Sequence, residues 1–146
     1  MRSSFEIEVR EGRHGKRLRG VMLQEGRAAS GGRREVFAPG SVDWPSNGVG
    51  ILTEHRGAVE VRSQPVRQGD GRIMVEADAT PAIRAAVEAG KRYMSVEFMA
   101  IEERTTRGGV REILSAFVPR AALVEAPEYD STSAELRTGK RRRVWL

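Results

Sequence analysis

Apolar and charged residues alternate along the first stretch of the chain. Phe5, Ile7 and Val9 fall on one side and Glu6, Glu8 and Arg10 on the other, the period of two that a half-buried strand requires. A second apolar-rich stretch predicts a strand over 18–23, followed by a glycine-rich loop through 26–32. A short strand at 34–38 is stopped by Pro39-Gly40, and Trp44 to Gly48 reads as another loop. Strands are predicted at 49–55 and 58–62 around Gly57, and again at 72–77. A long β segment covers 93–103, a turn falls at Gly108-Gly109, and 110–124 reads as one or two strands interrupted by Pro119.

One segment breaks the period of two. Thr80 is a good N-cap, Pro81 suits the first helical position, and Ile83, Ala86 and Val87 fall on one helical face. Gly90 supplies a left-handed stop. Many short strands with so little helix predict a mainly β fold with a few helices, built on an antiparallel β-barrel core.

The chain has 146 residues, 39% hydrophobic and 31% charged, a balance that suits one globular domain. We assign that domain to 1–130 and a polar, basic C-terminal tail to 131–146. Aromatics are only 5%, so the core must rest on aliphatic side chains. No apolar run nears the roughly 18 residues that span a bilayer, and the N-terminus lacks a signal-peptide core, so an intracellular protein without a membrane partner is expected. Cysteine is absent and histidine occurs twice, at His14 and His55. Disulfides, thiol nucleophiles and Cys-ligated zinc are excluded, a His-rich metal site is not expected, and no cofactor is called for. The net charge of +5 owes much to the KRRR run at 140–143. A basic tail can meet acidic partners or simply be solvated.

Candidate chemistry concentrates in RYMSVEF, residues 92–98. In an extended strand Met94, Val96 and Phe98 enter the core while Tyr93, Ser95 and Glu97 face the other way. Ser95 then looks out from an anchored strand, as a nucleophile should. His55 closes the apolar run GVGILTEH, where its imidazole can sit at a barrel rim and exchange a proton with a serine. His14 lies among basic residues and reads as solvated.

REVFAPGSV at 34–42, ILTEH ending on His55, Pro65-Val66, the helix, YMSVEF around Ser95 and ALVEAPEY at 122–129 follow one another in an order that resembles the prohead (head-maturation) serine proteases of tailed phages. That resemblance spans roughly residues 5–130. It implies a fold similar to the herpesvirus assembly proteases, with Ser95 as nucleophile and His55 as base. It also implies a serine endopeptidase that cuts capsid scaffold, the scaffolding segment of the major capsid protein, or itself, in the host cytoplasm inside the immature head. The partners implied are the major capsid protein and scaffold, with self-association left open.

Two positions depart from the family pattern. Glu97 stands where a glycine is usual, and Arg120 where a glutamate precedes the Leu-Val pair. Glu125 is the first choice for the carboxylate that orients His55, Glu97 the second, a Ser-His dyad helped by a backbone carbonyl or water stays open, and Arg120 is a conceivable oxyanion donor. Two other classes stay open: an inert capsid-assembly or scaffold-binding protein on the same fold, and a basic nucleic-acid-binding module. The second is disfavoured because the few aromatics are not interleaved with basic residues.

Overall fold

Alternation is carried through into the three-dimensional structure. In the computed structural model, which describes residues 4–12, 15–26 and 35–125, Ile73, Val75 and Ala77 are buried while Glu76 and Asp78 between and beside them are exposed. The strands in chain order are β1 (Ser4–Gly12), β2 (Gly15–Gln24), β3 (Glu35–Phe37), β4 (Val42–Asp43), β5 (Val49–Leu52), β6 (Val59–Ser63), β7 (Val66–Arg67) and β8 (Arg72–Asp78). The helix α1 (Pro81–Glu88) comes next, then β9 (Tyr93–Thr105) and β10 (Arg111–Val124). The mainly β expectation holds. His14 and the KRRR run lie outside the described residues, as does the proposed tail.

The strands form one path in the order β6-β5-β10-β9-β1-β2-β8-β7, with β3 and β4 added along β10. β1 serves both halves of this path: its first residues pair with β9 and the remainder with β2. Two expectations need correction. The sheet is not purely antiparallel, because β3, β4 and β5 all run parallel to β10. Nor does the ladder close into a barrel. Where β6 approaches β8, one side chain stands in for a ladder. The Ser63 hydroxyl donates to the Glu76 carbonyl at 2.9 Å and accepts from the Glu76 amide at 3.0 Å. A hydroxyl can do both at once, so it satisfies the edge groups of β8 without strand pairing.

Pro119 does not break β10 into two strands. The register with β9 slips between Phe117 and Arg120, so the residue lacking an N–H sits in an irregularity and 14 residues remain one strand. The helix forms where its signals placed it. Thr80 Oγ1 accepts from the Ile83 amide at 3.3 Å, and Ile83, Ala86 and Val87 are buried. Gly90, at φ +108°, turns the chain out of the helix. Its amide donates to Val87 and the next amide, of Lys91, donates to Ala86, the paired bonds of a Schellman stop.

The core is aliphatic, as the scarcity of aromatics required; Phe37 and Phe98 meet edge to face with centroids 5.0 Å apart, and Trp44 also packs against it. One ion pair with a buried carboxylate ties the end of β2 to β4 and β7. Glu25, which follows β2 and is 3% exposed, accepts from Arg67 Nε at 2.7 Å, from Arg67 Nη2 at 3.2 Å and from the Val42 amide at 2.9 Å. Arg67 Nη2 also donates to the Val42 carbonyl at 2.6 Å, and its guanidinium lies 5.3 Å from the Trp44 ring centroid. The hydrogen bond to Glu25 holds the Arg67 pKa above its ordinary value.

Gly71 packs against the same turn. It has φ +90°, and a Cβ there would overlap the carbonyl oxygen of Glu25. Gly71→Ala therefore combines a left-handed backbone with a clash against main chain. It is expected to destabilise the fold by about 2 kcal/mol or more, seen as a lower urea midpoint at unchanged slope.

Candidate active site

Ser95 is positioned by two strands of opposite origin. On β9 it pairs with Ser4 of β1 on one side and Ala122 of β10 on the other, and Ala122 in turn pairs with Leu52 of β5. Residues level with each other across a sheet share a face. Ser95, Ala122 and Leu52 therefore form one transverse row, and all three are buried, at 1%, 2% and 1% exposure. Met94 and Val96, on the opposite face of β9, belong to the main apolar core, and Ser95's row does not. The alternation expected around Ser95 is present. Its consequence is not: Ser95 does not look out to solvent, because the row it occupies is itself buried.

His55 is displaced from its expected place. β5 ends at Leu52, so His55 lies three residues beyond the strand, in a turn closed by the Gly57 amide donating to the Glu54 carbonyl at 2.9 Å. A Glu-His-Arg-Gly sequence makes a turn readily, and the apolar run that suggested a longer strand stops at Leu52. Because Leu52 is in the row of Ser95, the turn that carries His55 leaves the sheet at the end where Ser95 sits. Lys91, just ahead of β9, donates through Nζ to the Thr53 carbonyl at 2.7 Å and ties this turn to the approach of the Ser95 strand. His55 is half-buried there.

Glu125 is exposed and follows the last residue of β10. β5 and β10 are parallel neighbours, with Leu52 level with Ala122, so continuing three residues along each brings His55 and Glu125 to the same end of the sheet. Glu97 is committed elsewhere. It is directly opposite Arg120, whose Nε donates to Glu97 Oε2 at 2.8 Å. The two positions that depart from the prohead-protease pattern are thus each other's partner.

The strand carrying Ser95 was legible, whereas His55 was expected at the end of a strand and not in a turn. Lys91 was missed, because nothing in its spacing marks a lysine after a helix stop as a tether. The pairing of Glu97 with Arg120 was missed as well, since register between positions 23 apart in the chain has no local signal.

No family model, curated protein or solved structure matches the chain. Among the described residues no helix is long and apolar enough to cross a membrane.

Proposed function

We propose that this chain is a serine endopeptidase of phage head maturation, acting on capsid scaffold or on the scaffolding segment of the major capsid protein, and on its own chain. The observation that carries this reading is the convergence at one end of the sheet: Ser95 in a fixed transverse row, and the His55 turn leaving from the same row under the Lys91 tether. It is supported by the ordered motifs of the sequence. On this reading the curled, unclosed sheet is a variant of the barrel of the herpesvirus assembly proteases, and the protein works in the host cytoplasm within the immature head.

The chemistry is acyl transfer. Ser95 Oγ attacks the peptide carbonyl carbon while His55 takes the hydroxyl proton. The C–N bond then breaks as His55 returns that proton to the leaving amine. Water, deprotonated by the same imidazole, then attacks the acyl carbon, and the ester bond to Ser95 breaks as the imidazole hands that proton to Oγ. Glu125 orients the imidazole. No metal or cofactor enters.

The 1% exposure of Ser95 favours a second reading, an inert assembly or scaffold-binding protein whose serine is a buried packing residue. Co-expression with the neighbouring capsid and scaffold proteins separates the two. The protease reading expects defined truncation of a partner or of the chain itself, seen by intact mass, and its loss in Ser95→Ala. Full-length masses in wild type and variant alike would establish the inert reading.

A further inference from the structure

The face of β9 that carries Ser95 continues outward to Glu97, two residues and about 7 Å along the strand. Register puts Arg120 opposite Glu97 as it puts Ala122 opposite Ser95. The Ser95 row is buried. The next row is charged and open, with side-chain exposures of 35% for Glu97 and 48% for Arg120. A peptide brought to Ser95 in extended form advances about 3.4 Å per residue, so it meets this row roughly two residues from the bond under attack.

The ion pair is not an explanation of itself. Exposed pairs of this kind contribute about 0–1 kcal/mol to stability, too little to account for a charged row beside a buried one. Its geometry is more informative. Arg120 is held by Nε alone, and among the described residues its two terminal amino groups donate to nothing. Glu97 thereby fixes the guanidinium plane and leaves the end-on fork of Nη1 and Nη2 free. That fork matches the two oxygens of a carboxylate.

We propose that Arg120 is a specificity-determining residue that receives an Asp or Glu side chain of the substrate within about two residues of the cleaved bond, with Glu97 as its positioning residue. This rests on the protease reading. It also assigns the two departures from the family pattern to one purpose: a carboxylate and a guanidinium placed opposite each other select the peptide. Arg120 acts on binding, one row along the strand from Ser95.

Two measurements on the full chain test it and keep the two readings apart. A small fluorophosphonate is first used to label wild type and Ser95→Ala. Wild type, Arg120→Ala, Arg120→Lys and Arg120→Glu are then given a tryptic digest of a bacterial lysate, and the cleaved bonds are read by mass spectrometry. Wild type should label at Ser95 and cut bonds with an acidic residue within three positions about tenfold more often than matched neutral ones, the ratio a charge-assisted contact supplies.

Arg120→Ala should abolish that ratio, Arg120→Lys should retain part of it, and Arg120→Glu should turn it toward Lys- and Arg-bearing peptides. A merely structural Arg120 would lower acidic and neutral cleavage together and leave the ratio where it was, which overturns the proposal. A wild-type preference for basic residues would overturn it in favour of Glu97 as the selecting group. A labelled Ser95 with no acidic preference, or with no cleavage of this acid-rich mixture, removes the proposal and leaves the reactive serine standing. Absence of labelling removes the protease reading and the selectivity together.

Discussion

Ser95→Ala is expected to slow peptide-bond cleavage by about 10³-fold or more, and His55→Ala added to it should slow the reaction little further. The reason is that the two groups act as a unit in the proposed mechanism. Without Oγ there is no acyl intermediate, and an imidazole with no hydroxyl to deprotonate contributes nothing to that step. The same non-additivity distinguishes a reacting pair from two independent structural residues, whose losses would multiply. Single-turnover cleavage of a partner segment identified by co-expression, with folding of each variant checked by its denaturation midpoint, measures it. Losses that multiply across the two sites would contradict the assignment.

The second large effect concerns stability and is asymmetric. Arg67→Ala strips the Glu25 carboxylate, 3% exposed, of its two guanidinium bonds and leaves it, among the described residues, only the Val42 amide. An uncompensated buried charge of this kind costs about 3–5 kcal/mol. It also frees the Val42 carbonyl and uncovers Trp44, whose cation–π contact contributes about 0.5–1 kcal/mol. Glu25→Ala should cost less, because the Arg67 side chain is already 38% exposed and can turn to water. Equilibrium urea unfolding of both variants gives the comparison. Equal losses would mean that the guanidinium is as firmly buried as the carboxylate. Since Glu25 follows β2, Val42 lies in β4 and Arg67 in β7, and β4 pairs with β10, the damage should reach the strand that backs Ser95.

Local signals were read well where one face alone had to be buried. The helix from Pro81 to Glu88, its Thr80 cap and its Gly90 stop depend on contacts within a few residues, and each stands where the pattern put it. The long β segments around Ser95 and before Glu125 were legible for the same reason: an apolar alternation of sufficient length leaves few other solutions. Two-residue strands such as β4 and β7 carry no alternation and were invisible. The end of β5 was overestimated by three residues, because apolar continuity says nothing about where a partner strand stops.

The candidate site divides along the same line. Which residues could carry the proposed chemistry was narrowed by the sequence, since with no cysteine and two histidines the candidates for nucleophile and base are few. The sequence also decided the face of β9 on which Ser95 lies, a consequence of the two-residue repeat. Tertiary structure alone decided that the Ser95 row of this face is buried, that the His55 turn leaves from that row, that Lys91 ties the two, and that Glu97 meets Arg120. Those facts depend on register and on strand order, which are settled by packing between segments far apart in the chain; a side chain's own neighbours in sequence exert no force that could select them.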